Sequence, residues 1–125
     1  MYLKMPLGMI PFYEKETSDF HKFTEQHDFI SAMKSLERAH VLAQYFPVSH
    51  TAIHWKMLVL GFKTMNANEI MAQLVRIAVA GIGSVTGRIP VGNLGSARIP
   101  IFQSMEIPDD LKKVIEQNLK KDKTT

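Results

Sequence analysis

Apolar side chains recur at three- and four-residue intervals through most of this chain. From Asp28 onward, Phe29, Ala32, Leu36, Ala39 and Ala43 form one face of an amphipathic helix. Asp28 is a suitable N-cap, and the helix is expected to run to about Tyr45, where Phe46-Pro47 forces an extended or turn conformation. A second helix is expected to begin near Ser49 and to carry Ile53, Met57, Leu60 and Phe62 inward as far as Thr64-Met65-Asn66. Asn68 restarts the pattern with Ile70, Leu74, Ile77 and Ala78, and Gly81-Ile82-Gly83 is the expected stop. Upstream, Phe12, Tyr13, Phe20 and Phe23 predict a further helix from about Pro11 to Glu25, with proline tolerated in its first turn.

Between Ser84 and Glu106 the breakers Gly87, Pro90, Gly92, Gly95 and Pro100 predict a long ordered loop, packed down by Ile89, Val91, Leu94, Ile99, Ile101 and Phe102. A final helix follows Pro108-Asp109-Asp110, with Leu111, Ile115 and Leu119 in register. The expectation is therefore an all-α protein. Four helices form antiparallel hairpins, tetratricopeptide-like or bundled, followed by a Gly/Pro-rich loop over 84–107 that wraps them and a C-terminal helix whose tail frays over 121–125. No second copy of the hairpin pattern is visible at the ~34-residue period of a tetratricopeptide array. The 125 residues fit a single domain.

Composition narrows the chemistry. The absence of cysteine excludes disulfides, thiolate nucleophiles and Cys-based zinc or iron–sulfur sites, so any metal must be held by His, Asp, Glu or Met. The net charge of +3 is carried in part by Lys112, Lys113, Lys120, Lys121 and Lys123 near the C-terminus, without interleaved aromatics, and no nucleic-acid partner is expected. The longest apolar stretch, Ile70 to Val85, is interrupted by Gln73 and Arg76 and falls short of the ~20 residues of a membrane span. The apolar N-terminus is cut by Pro6 and Pro11 and makes a poor secretory signal, so a cytoplasmic protein without membrane contact is expected.

Three of the five histidines fall in the central hairpin. His50 and His54 are four residues apart and share a helix face, while His40 and His54 lie seven residues either side of Pro47 and so at one level across the pair. By the same count Gln44 faces His50 and Glu37 faces Met57. Glu37 precedes His40 by three residues, a spacing that puts carboxylate and imidazole on one face, as in metal sites built inside bundles. Imidazoles with one carboxylate suit zinc, copper, nickel or iron better than magnesium or calcium. Such binding needs neutral imidazoles and should weaken as pH falls through ~6.5. The plainer reading makes these histidines hydrogen-bonded filler and Glu37 solvated surface; His21 and His27 are read as surface residues.

The loop offers Gly87, Gly92, Asn93 and Gly95 between Arg88 and Arg98, a composition able to form an anion-binding nest, although glycines that merely permit tight turns explain it as well. Gln73 and Arg76 lie three apart on the fourth helix and are candidates to bond the loop or an anion. No Ser-His-Asp, Cys-His or paired-carboxylate set can be nominated, so a binding protein rather than an enzyme is expected. The alternative is a protein-interaction or homodimerising helical scaffold without metal, anchored by Tyr45, Phe46 and Trp55.

Leu36-Glu-Arg-Ala-His40, His50-x-x-x-His54-Trp55-x-Met57, Gln73-x-x-Arg76, Gly87-Arg-Ile-Pro90-Val-Gly92-Asn93-x-Gly95 and Met105-x-Ile107-Pro108 follow one another in an order that resembles a bacterial family of small proteins, domain-of-unknown-function family 3703, from about Asp28 to Leu111. The resemblance implies no established activity. Members of that family accompany heavy-metal resistance genes, which implies a metal as the ligand of His40, His50 and His54. Leu94 stands where the family pattern has threonine, which argues against use of a hydroxyl there.

Overall fold

The computed structural model describes residues 4–86 and 90–119, with the backbone alone for residues 80–86. Its elements are α1 (Ile10–Glu25), α2 (Phe29–Ala43), α3 (Pro47–Lys63), α4 (Ala67–Thr86) and α5 (Asp109–Leu119). The described residues are all-α, without strands, and hold five helices where the sequence predicts four and a C-terminal one after the loop. The helices α1 and α2 form one hairpin and α3 and α4 another, and α2 packs in addition on α3 and α5.

The two hairpins turn in the same way. Asp28 N–H donates to Phe23 O and Asn66 N–H to Gly61 O, both at 2.9 Å, with His27 (φ 56°) and Met65 (φ 53°) in the left-handed conformation that ends a helix. The residue that closes one helix then opens the next: Asp28 Oδ1 accepts from Ser31 N at 3.2 Å, and Asn66 Oδ1 from Glu69 N at 3.1 Å. Asn66, not Asn68, is therefore the cap of α4. Helix α3 begins at Pro47 rather than Ser49, because Phe46 is extended (φ −128°, ψ 106°) and proline fits the first helical position. Helix α4 runs through Gly81 and Gly83 to Thr86, since a helical glycine costs only about 1 kcal/mol and does not by itself stop the helix. The loop is correspondingly shorter than 84–107, and Gly87, Arg88, Ile89 and the tail 121–125 lie outside the described residues.

Helix α2 is buried on most of its circumference. One side puts Ala32, Leu36, Ala39 and Ala43 against Phe20 of α1 and Ile53, Met57 and Leu60 of α3. The other puts Val41 and Leu42 with Met9, Phe46 and the α5 residues Leu111, Val114, Ile115 and Leu119. Small residues on the first side let the helices approach closely. Arg38 ties three helices together by bonding Glu16 of α1 (2.8 Å) and Asp110 of α5.

Phe62 and Leu74, read from the sequence as core, are exposed, as are the loop residues Val91 and Phe102. The physical reason lies in α4. Its inward stripe is Glu69, Gln73 and Arg76, which faces a polar strap rather than an apolar core, so its aliphatic residues turn outward.

The shared turn makes a direct prediction. Met65 is 89% exposed and occupies a left-handed position, so Met65→Gly should raise stability by roughly 0.5–1 kcal/mol. Asn66→Ala should lower it by about 1 kcal/mol through loss of the cap. Urea unfolding monitored by helix dichroism measures both.

Candidate metal centre

Three helical positions bring the imidazoles together. His40 projects from the last turn of α2, His50 and His54 from successive turns of α3, and Pro47 at the head of α3 sets the hairpin so that all three meet at one level. Their Nε2 atoms form a nearly equilateral triangle: His40 to His50 is 2.9 Å, His40 to His54 3.0 Å, and His50 to His54 3.0 Å. The rings are arranged as a propeller, with centroids 4.6–4.7 Å apart and interplanar angles of 57–73°. All three are buried.

The far side of two rings fixes where their protons sit. His40 Nδ1 lies 2.7 Å from the carbonyl oxygen of Asn93, which can only accept, so this nitrogen carries the hydrogen. His54 Nδ1 lies 2.7 Å from Gln73 Oε1. The orientation of that amide is set by its nitrogen, which donates to Glu69 Oε1 at 2.7 Å and to Gly95 O at 2.9 Å. His54 therefore also donates through Nδ1. Neutral His40 and His54 consequently face each other with bare Nε2 lone pairs at 3.0 Å. His50 has one proton at most to share, and its own buried Nδ1 has no partner. A positive charge at the common point relieves this repulsion, and the three nitrogens are the one cluster among the described residues with the spacing to hold a metal ion.

Burial keeps the rings neutral. It holds the His40 imidazolium well below its usual range, helped by the charge of the two neighbouring rings, and lowers His50 to about 3 and His54 to about 4. Arg76 acts in the same direction on His40 and His54. Native-state protonation thus falls well below the ~6.5 expected for free imidazoles.

A strap from Pro90 to Gln103 closes the site. Asn93 organises it: its side-chain nitrogen donates to Pro100 O (2.9 Å) and Gln103 O (2.7 Å), and its Oδ1 accepts from Gly95 N (2.8 Å). Gly95 has φ 86°, and a Cβ there would stand 2.5 Å from His40 Cδ2, so only glycine can lie against this ring. Gly92 has φ 77° and is equally constrained, because a Cβ would fall 2.0 Å from Met105 O. Ala97 N donates to Glu69 Oε2 at 3.0 Å, and Arg76 donates to Ile99 O.

The remaining sequence candidates find other roles. Glu37 does not join the imidazoles: its carboxylate accepts from Ser96 Oγ (2.8 Å) and from Arg98 Nε and Nη2, which consumes its lone pairs in holding the strap. Gln44 pins the strap, donating to Pro90 O (2.8 Å) and accepting from Gly92 N (3.1 Å), rather than pairing with His50. The N–H groups of Gly92, Gly95 and Ala97 are thereby satisfied within the chain, so no anion nest forms among the described residues; Arg88 lies outside them. Phe46, 1% exposed, is core and cannot anchor a partner, and half-buried Tyr45 packs on the same cluster. Trp55 is exposed. Sequence reading did not anticipate the Asn93 carbonyl, the Ser96 hydroxyl or the chain from Glu69 through Gln73 to His54. The 4-3 spacing of Glu69, Gln73 and Arg76 was the available signal, since it places three polar residues on one stripe of an otherwise apolar helix.

Fold and site together define a small helical protein with a buried three-imidazole centre under a loop strap. The chain belongs to the family described as protein of unknown function (DUF3703), whose model matches residues 8–115. No curated protein and no solved structure matches it. No helix among the described residues is long and apolar enough to cross a membrane.

Two outcomes are expected. Gly95→Ala combines a left-handed backbone penalty with overlap on His40 and should cost about 2–4 kcal/mol of stability in denaturant unfolding. For metal-free protein, the depressed histidine pKa values mean that the unfolded chain binds more protons than the native one below ~6.5. Stability is therefore complete above that pH and falls as pH drops toward 4, by up to about 4 kcal/mol per unit if all three rings contribute. Thermal unfolding across this range measures the slope, and His54→Gln should reduce it.

Proposed function

We propose that this protein binds a transition-metal ion between α2 and α3 through Nε2 of His40, His50 and His54. The observation that carries the reading is the triangle of nitrogens, with two of its members turned to the centre by N–H groups that donate to fixed oxygens behind them. Histidines that ligate metals characteristically donate their second N–H to a carbonyl or carboxylate, which orients the ring and raises its basicity. An all-nitrogen donor set suits zinc, copper, nickel or ferrous iron. Three imidazole nitrogens would hold such an ion, and any further ligand would come from outside the triad. In this reading Glu37 is a support, holding Ser96 and Arg98 and through them the strap, rather than a ligand. The function in this reading is metal binding.

Protein purified without a histidine tag tests this by elemental analysis and calorimetric titration with zinc, copper, nickel and ferrous iron. One ion per chain is expected, bound more tightly than micromolar, with a matching rise in melting temperature. His54→Ala should abolish it. Gln73→Met, which strips His54 of its acceptor and leaves all three ligands in place, should weaken binding 10- to 100-fold. Affinity weaker than micromolar, or binding indifferent to His54→Ala, would remove the metal from the account.

A further inference from the structure

The outer side of the α3–α4 hairpin is apolar and uncovered. On α3, Val48, Ala52, Trp55, Val59 and Phe62 succeed one another at spacings of four, three, four and three, the rhythm of a coiled-coil seam. Val48 is 80% exposed, Trp55 58% and Phe62 61%. The seam lies away from His50, His54 and Met57, which face α2, so no other element of the described chain covers it. Beside it α4 turns out Met71, Leu74 and Val75, opposite its buried stripe of Glu69 and Gln73.

We infer that this face is the interface of a two-fold homodimer, in which α3 crosses α3 of a second copy antiparallel at Trp55. Three observations select a second copy. The first is symmetry: α3 spans residues 47–63, so Trp55 is its midpoint, and reversal about that point sets Val48 opposite Phe62 and brings Ala52 to within one residue of Val59. The second is shape. An open groove of about 620 Å3 runs past Pro47, Val48, Thr51, Ala52, Trp55 and Lys56, and the exposed Val59 and Phe62 form a ridge on the other half of the same helix. Antiparallel crossing seats each ridge in the partner's groove, the self-complementarity that a two-fold interface requires. The third is size. The exposed parts of the seven large side chains come to roughly 700 Å2 of apolar surface, close to the ~800 Å2 per partner of a standard interface and above the patch of a typical monomer. No seam position carries a charge, whereas a helix lying on a lipid surface sets a strongly charged polar face against its apolar one.

Four helices, two from each copy, then form the dimer core, with the imidazole centres on the inner flanks of the paired hairpins. The chain has one tryptophan and no cysteine, which makes the test clean. Sedimentation of the full chain at about 100 μM should give twice the 14.2 kDa of the monomer, and dilution should shift Trp55 emission to the red as the dimer parts. Phe62→Lys should weaken association at least tenfold while leaving helix dichroism unchanged. Under mild oxidant Trp55→Cys should cross-link to itself. Val48→Cys should cross-link with Phe62→Cys, and much less with itself. A monomer at that concentration overturns the inference, as does a dimer insensitive to Phe62→Lys or one whose cross-links do not follow the antiparallel register. A monomer that binds phosphatidylcholine–phosphatidylserine vesicles would likewise overturn it and assign the face to a membrane surface.

Discussion

The His40–His54 contact governs the rest of this structure. Two neutral imidazoles, each with its proton committed to an oxygen behind it, point lone pairs at one another across 3.0 Å in a buried site. Burying polar nitrogens is costly unless each has a partner, and the price is highest where water is excluded. The surroundings are built to meet that cost. Gln73 and the Asn93 carbonyl fix the outer nitrogens, and Glu69 and Gly95 fix Gln73. What these partners leave unsatisfied is the centre itself, where three nitrogens converge and His50 lacks any outer bond.

The strap follows from this constraint. A segment rich in glycine and proline has no regular backbone pairing of its own, so its N–H and C=O groups need side-chain partners if it is to lie buried. Gln44 at the end of α2, Glu69, Gln73 and Arg76 of α4 and Asn93 of the strap itself provide them. This explains why α2 and α4 carry polar residues on inward faces. It also explains the exposed aliphatic residues of α4: with the inner stripe committed to the strap, the apolar positions are left facing outward, where they form the surface assigned here to self-association.

Much of the helical architecture was legible in the sequence, because periodicity reports which face of a helix is buried, Asp28 marks an element start through local chemistry and Pro47 marks the turn between two helices. The level matching of His40 and His54 across Pro47 was legible too, since it needs only a hairpin and equal counts. The boundary at Ser49 was misplaced because proline itself takes the first helical position; those at Asn68 and Gly81 were misplaced for a common reason. Left-handed Met65 and helical glycines depend on packing and on bonds between residues five apart, and propensity carries little information on either. The role of Glu37 was missed because its partner lies 61 residues away in the strap, and the burial of Phe46 because α5 covers it from the far end of the chain. Both are long-range facts, and helical spacing is silent on those.

The central claim is that three Nε2 atoms converge, those of His40 and His54 with bare lone pairs held there by protons on their opposite nitrogens. Long-range 15N–1H correlation spectra of the imidazole rings, recorded on metal-free protein at neutral pH and during titration with zinc, address it directly. The account predicts the Nδ1–H tautomer for His40 and His54 before metal is added, and a concerted shift of the Nε2 resonances of all three rings that saturates at one equivalent. Nε2–H tautomers of His40 or His54 or charged rings in the metal-free protein, or Nε2 resonances that ignore zinc, would contradict it.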